Sequence, residues 1–274
     1  MNFKTEDYQV FQDFLEKACG IVLGNNKHYL VSSRLSKLMQ SNNIHSLGEL
    51  VNRLKNSASS ALRSEVIEAM TTNETLWFRD GYPFEIYKDL VLSEFKNKPA
   101  KEVRVWSSAC SSGQEPYSLS MATEEFVQAN PGCGLRVSIV GTDISQAILN
   151  EAKKARYDAL SVSRGLSEER KRRFFTVMDH RWHVNANIRS RVTFKEHNLM
   201  NSFSMLGRFD VIFCRNVLIY FSAESKTEIF RRMAEALNPG GYLFMGASES
   251  IVQYTKAFEM VRANAGVVYR LKSK

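Results

Sequence analysis

Three short stretches carry residue types that could do chemistry on a small ligand. SSACSSGQEPYS (107–118) is a run of small side chains around a single glycine, Gly113, with Glu115 and Pro116 opening a helix. Small side chains let backbone approach a ligand closely, and Glu115 could meet a cationic group or serve only as a carboxylate favoured at a helix start. VSIVGTD (137–143) ends on Asp143, the residue type that accepts hydrogen bonds from the two hydroxyls of a ribose. Asp143 could equally cap the following helix, although Ser145 is better placed for that. CRNVLIYF (214–221) sets Arg215 and Asn216 directly after an apolar run. Polar groups in that position cost free energy unless they are hydrogen-bonded, which favours a ligand-facing role. Gly113 and Asp143 together fit an adenosine ligand. Their separation of 30 residues exceeds the ~20 of the dinucleotide fingerprint, and one glycine alone makes a poor phosphate loop.

The surrounding pattern supplies elements able to hold these residues. Residues 1 to about 95 read as helices. Tyr8, Phe11, Phe14, Leu15 and Ala18 fall at helical spacing, with Thr5 as a candidate cap and Gly20 as a stop. Leu30, Leu35, Leu38 and Met39 continue in a second helix, and Ser46 with Glu49 has capping-box spacing before a third. SSALRSEVIEAM (59–70) is a fourth, and Pro83 opens another. From Val103 the grammar changes to short apolar runs: VRVW (103–106), VSIVGTD, RVTF (191–194), FDVIFC (209–214) and GYLFMG (241–246). Helical stretches between most of them predict an α/β fold with a mostly parallel sheet covered on both faces. FEMV (258–261) and GVVYRL (266–271) predict an antiparallel hairpin at the sheet edge, NKPAKE (97–102) a linker, and NPG (238–240) a turn before the GYLFMG strand.

Composition narrows the class. At 44% apolar and 24% charged, 274 residues can bury a substantial core. No apolar run approaches the ~18–20 residues that span a bilayer, and the N-terminus lacks a secretion pattern. Cys19, Cys110, Cys133 and Cys214 form no C-x-x-C pair, so neither a zinc site nor a disulfide framework is expected. His180 and His183 alone approach ligand spacing, and no metal is expected. The reading is a cytoplasmic protein with free thiols. The net charge of +8 is localised: Lys153 to Lys195 holds 12 Lys/Arg against 4 Asp/Glu, centred on SEERKRRFF (167–175). Such a segment favours an anionic partner, or is a solvated basic helix.

VRVWSSACSSGQEPYSL, VGTDIS, EHNLM, FDVIFCRNVLIYF and LNPGGYLFMGASES resemble, in order and spacing, the chemotaxis receptor methyltransferase family, commonly called CheR. TTNETLWFRD (71–80) is similar to the same family's characteristic linking segment, and the resemblance covers essentially the whole chain. It implies a Rossmann-like S-adenosylmethionine-dependent methyltransferase domain at 103–274. Ahead of it come an all-helical N-terminal domain at 1–80 and a helix and linker at 81–102. A small basic subdomain is inserted at about 153–195. The family methylates glutamate side chains in the cytoplasmic helical domain of chemoreceptors, giving glutamyl methyl esters.

By that resemblance, Asn73, Thr75 and Arg79 reach over the cofactor near its methionine moiety, and Glu115 lies in the cofactor pocket. Asp143 holds the ribose, Asn198 and Leu199 flank the adenine, and Asn216 and Val217 form the floor. Arg79 and Tyr220 stand nearest the transferred methyl as the catalytic pair, Arg79 positioning the substrate carboxylate and Tyr220 fixing its orientation. In some members the insert docks a receptor C-terminal peptide as an added strand. Those members carry a glycine-containing extension after a Tyr-Phe-like pair. Here Phe174–Phe175 runs into TVMDHRWHVNANIRSR without glycine, so tethering is expected to be absent or weak. The insert would instead meet acidic receptor helices or an adaptor, and the helix around Lys27, Arg34 and Lys37 is a second candidate receptor face.

Two other readings differ in class. A nucleic-acid methyltransferase would suit a pI near 9.3. However, amino methylation of adenine uses an N-P-P-aromatic motif where this chain has Asn216-Val-Leu-Ile-Tyr220, and no RNA-binding motif with interleaved aromatics is present. No nucleic-acid partner is therefore expected. A noncatalytic cofactor-binding adaptor on the same fold is the other. The joint presence of Arg79, Asp143, Asn216 and Tyr220 favours an enzyme.

Overall fold

The computed structural model describes residues 3–55 and 60–273. Four helices, α1 (Thr5–Cys19), α2 (His28–Ser41), α3 (Leu47–Lys55) and α4 (Ser60–Met70), open the chain. They bury one cluster from their apolar stripes, including Phe11, Leu15, Leu35, Leu50 and Val66. Thr5 is the first helical residue of α1 and not its cap, since Lys4 holds the cap position without a side-chain bond. Gly20 closes α1 in the left-handed region, as its position suggests. The capping box before α3 is made: Ser46 Oγ accepts from Glu49 N at 3.1 Å, while Glu49 accepts from the His45 N–H. Ser59, expected to begin the fourth helix, lies outside the described residues.

A helical stretch over 82–95 follows, with a π turn at Tyr87–Leu92 that the periodicity does not announce. The main strands come next. They are β1 (Glu102–Ser108), β2 (Arg136–Asp143), β6 (Val192–Glu196), β7 (Phe209–Cys214), β8 (Leu237–Met245), β9 (Phe258–Ala263) and β10 (Gly266–Leu271). They form one sheet in the order β6-β2-β1-β7-β8-β10-β9. The first five are parallel, and β10 and β9 run antiparallel as the edge hairpin. Helix Gln114–Ala129 and the 82–95 stretch cover one face, and helix Ala223–Ala236 covers the other. Phe213 and Phe244 stack across β7 and β8 at 4.2 Å and 6°.

Three further strands, β3 (Arg156–Tyr157), β4 (Phe175–Met178) and β5 (Arg181–Val184), make a small separate sheet inside the basic segment, in the order β3-β5-β4. The NPG turn also differs from expectation. Leu237 already pairs with Phe209, and pairing resumes at Val211 with Tyr242, so residues 238–241 bulge out within β8. Asn238 fixes the bulge by donating to Asp210 at 2.8 Å.

The chain runs β1 to β2 to β6 on one side, then returns to place β7 beside β1. That reversal opens a crevice beyond the strand tips, where an open α/β sheet binds ligands.

Candidate active site

The crevice is roofed by the segment leaving α4, and the result is a cavity of about 970 Å³, part of it open to solvent. Asn73, Thr75 and Arg79 line it from the roof, and Glu115 from the start of its helix. Asp143 stands at the β2 tip, Asn198 and Leu199 just beyond β6, and Asn216, Val217 and Tyr220 beyond β7. The structure thus brings all ten residues singled out from the sequence around one space.

The loop after β1 bends by unusual backbone. Ala109 and Ser111 lie at φ of 66° and 51°, and Gly113 at 93°. At Gly113 a side chain would be strained by that angle and would also press on Ala152, Tyr117 and Tyr157. The loop thereby brings Ser111 N within 2.8 Å of the Asp143 carboxylate, whose other oxygen accepts from Ser145 N at 3.1 Å. Burial pushes the Asp143 carboxyl up, and these backbone donors pull it down by less. Ser145, as expected, caps the next helix through Ile148 N.

Arg215 does not hang free over the ligand. Its side chain is 1% exposed and bridges two carboxylates, Asp80 at 2.6 Å and Glu115 at 3.0 Å, while also donating to the Arg79 carbonyl at 2.7 Å. Glu115 accepts in addition from Ser107 Oγ at 2.8 Å. The cationic partner that Glu115 was expected to find therefore includes a residue of the chain itself. Asp80 being engaged, Arg79 is left among the described residues with one long bond to the Glu74 carbonyl at 3.4 Å.

Asn198 also works within the fold. Its amide donates to the Ala18 carbonyl at 2.7 Å and accepts from Met200 N at 2.9 Å, tying the catalytic sheet to the end of α1. Val22 N donates to the Tyr220 carbonyl at 2.8 Å, a second tie between the helical domain and the site.

Glu249 was not singled out from the sequence, where GASES read only as a small polar loop. Its Oε2 accepts from Asn216 N at 2.5 Å and Gly246 N at 2.9 Å, holding Asn216 at φ 58°. Burial raises this carboxyl as well. A Cβ at Gly246 would stand 2.6 Å from that oxygen, so the glycine is what admits the carboxylate. A glutamate in a loop just after a core strand is the only signal that could have found it. Asn216 Oδ1 is buried with no partner among the described residues, an acceptor open to a donor from a ligand.

The basic insert is less free than its composition suggests. Arg170 pairs with Glu125 at 2.7 Å and lies 3.6 Å over the Phe78 ring, Lys171 pairs with Glu168, and Arg191 with Glu124. Arg34, expected on a receptor-facing surface, donates to the carbonyls of Met70 and Thr71 at 2.6 and 3.0 Å and to Thr72 Oγ1 at 2.9 Å.

A mostly parallel sheet, an acidic residue at the β2 tip and a partly open cavity at the strand reversal define the Rossmann-like methyltransferase class. Comparison with known families carries this further. The CheR methyltransferase SAM-binding domain matches residues 73–267, and the CheR methyltransferase all-alpha domain matches residues 6–71. The chain belongs to the CheR methyltransferase family, and its cofactor is S-adenosylmethionine. It is 52% identical to chemotaxis protein methyltransferase Cher2 of Pseudomonas putida, over 97% of this chain and 98% of that one. It is 53% identical to chemotaxis protein methyltransferase 1 of Pseudomonas aeruginosa, over 99% and 100%. A third relative, chemotaxis protein methyltransferase 1 of Vibrio cholerae, is 49% identical over 97% of each.

The residues fit the cofactor. The cavity's place beyond the strand tips, the buried acceptor on Asn216 and the carboxylates of Asp143 and Glu115 suit a nucleoside carrying an amino acid. Asp143 would take the ribose hydroxyls. Glu115, Asn216 and Val217 would hold the methionine end under Asn73, Thr75 and Arg79, and Asn198 and Leu199 would flank the base.

Proposed function

We propose that this chain methylates glutamate side-chain carboxylates on the cytoplasmic helical domain of chemoreceptors, giving glutamyl methyl esters and S-adenosylhomocysteine. The observation that carries the reading is a cation and a phenol on the rim of one cavity, Arg79 and Tyr220, with the neighbouring acid Asp80 already taken by Arg215.

When bound, the cofactor supplies a methyl group already activated on a sulfonium. A glutamate carboxylate is already ionised at neutral pH, so no general base is needed. What the chain adds is placement. Arg79 draws the incoming carboxylate by charge, and Tyr220 donates a hydrogen bond that fixes which oxygen points inward. An ion pair held too tightly would quench the nucleophile, so a guanidinium on an exposed rim suits positioning. Among the described residues no helix is long and apolar enough to cross a membrane, which suits an enzyme that meets the receptor beyond the bilayer. Unpaired cations of the insert would face acidic receptor helices or an adaptor.

The test is incubation with tritiated S-adenosylmethionine and membranes containing chemoreceptors. Receptor label released as methanol by base, and lost in Arg79→Ala, is the expected result. Base-stable label, or label on RNA or DNA instead, would overturn the reading.

A further inference from the structure

The base-binding end of the cavity has a polar side chain with no assigned role. β6 pairs with β2 so that Glu196 stands opposite Asp143, and the next residue, His197, donates its backbone N–H to the Asp143 carbonyl at 2.9 Å. A ribose held on Asp143 therefore presents its base to the segment His197–Leu199, which lines the cavity. Of these three residues, Leu199 is apolar and the Asn198 amide is spent on Ala18 and Met200. His197 is the side chain left to make a polar contact with the base.

Its ring is held by its surroundings. Nε2 is buried with no hydrogen-bond partner among the described residues. The imidazole meets Phe203 at 5.5 Å and 61° and Trp106 at 6.3 Å and 76°, edge-to-face geometries in which an N–H can rest on an aromatic face. The Trp106 indole N–H is itself turned away to Thr142 Oγ1 at 2.9 Å. A proton on Nε2 leaves Nδ1 as an acceptor on a residue that lines the cavity. Burial and the nearby Arg232 charge both lower the imidazole's proton affinity, which favours the neutral ring.

We propose that His197 reads the purine: its free imidazole nitrogen accepts a hydrogen bond from the 6-amino group of adenine and selects an amino over an oxo or unsubstituted edge. The proposal rests on the cofactor lying with its ribose at Asp143. A neutral acceptor facing an amino donor gains a bond. Facing a 6-oxo group it meets a second acceptor, and facing a 6-hydrogen it is left unpaired.

The experiment is calorimetric titration of the full chain with S-adenosylhomocysteine, its 6-oxo (inosine) analogue and its 6-unsubstituted purine analogue, in wild type, His197→Leu and His197→Gln. The wild type is expected to prefer the adenine ligand over the unsubstituted one by about 5- to 100-fold, the range of one hydrogen bond made or left unmade. In His197→Leu that preference falls to within about 3-fold, while the unsubstituted ligand keeps its wild-type affinity, a sign that the pocket is intact. His197→Gln, whose carbonyl can accept, keeps part of the preference. If the Leu variant binds neither ligand, His197→Phe, which keeps a ring without an acceptor, decides by the same ratio. An unchanged ratio in the Leu or Phe variant overturns the role of His197. Absence of S-adenosylhomocysteine binding in the wild type overturns instead the placement of the cofactor on which the proposal stands.

Discussion

Asp80 gives its carboxylate to Arg215, 2.6 Å away and buried, and not to its sequence neighbour Arg79. The two arginines therefore have opposite duties, one locked under the site and one left on its rim. Arg79→Ala is expected to leave thermal stability nearly unchanged, within about 0.5 kcal/mol for a side chain with so little to lose. It should lower receptor methylation by about 100- to 1,000-fold, as loss of one positioned donor does. Asp80→Ala strips one of two carboxylates from a buried guanidinium that keeps Glu115, and should cost about 1–3 kcal/mol of stability. Calorimetric melting beside initial methylation rates separates the two. Equal loss of stability in both variants would mean that Arg79 is structural.

The segment carrying Arg79 is gripped from its other side by the insert. Trp77 packs edge-on against Tyr157 and Phe175 at 4.8 and 5.3 Å, and Trp77 N donates to the Arg164 carbonyl at 3.3 Å. Gly165 sits at φ 101°, where a Cβ would collide with the Trp77 carbonyl oxygen. Gly165→Ala should therefore destabilise the protein by about 2–4 kcal/mol through combined strain and backbone collision, or push residues 77–81 outward. A lowered melting temperature, or faster amide exchange confined to 77–81, would register it. A variant with wild-type stability, exchange and turnover would show that the insert does not set the position of Arg79.

Much of this was legible in the chain. The strand and helix alternation is written in local apolar periodicity, and the positions of Asp143, Asn216 and Tyr220 follow from strand ends, which a sequence shows directly. What could not be read was partnership. That Arg215 would bridge Asp80 and Glu115, separated from it by 135 and 100 residues, depends on how β1 and β7 come to lie side by side. The same holds for Arg170, whose basic run suggested an anionic partner or a solvated helix, and which in the fold meets Glu125 and Phe78. Net charge counts groups, while folding decides which of them remain unpaired.

Cofactor affinity should depend on pH through Asp143. Burial raises its carboxyl above the ordinary aspartate range near ~3.9. Its contribution to folding is therefore fullest below that range and is lost as pH rises through the raised value. A ribose donating to the carboxylate favours the ionised form, so affinity for S-adenosylhomocysteine should rise as pH climbs from the ordinary aspartate range through the raised value, and then level off. Titrations from the ordinary aspartate range upward would show this slope, flattened in Asp143→Asn. A slope identical in the variant would assign the dependence to another group, with the buried Glu249 the first to test.

Arg34 supplies a prediction that separates two readings of α2. On composition, Lys27, Arg34 and Lys37 could form one receptor-facing stripe. In the structure Arg34 is turned back onto the end of α4, holding two carbonyls and a hydroxyl over Met70–Thr72, immediately before Asn73 and the roof of the cavity. These carbonyls belong to a helix C-terminus, where a cation is favoured and no further turn satisfies them. Arg34→Ala should free the roof and weaken S-adenosylhomocysteine binding by about 5- to 50-fold, the cost of charge-assisted bonds at a partly exposed site. The loss should appear with no receptor present. Lys37→Ala, by contrast, should leave cofactor binding unchanged and act, if at all, on the apparent KM for receptor. Arg34→Ala that binds cofactor like the wild type but raises receptor KM would return Arg34 to the docking surface and leave the roof held by Asn73 to Arg79 alone.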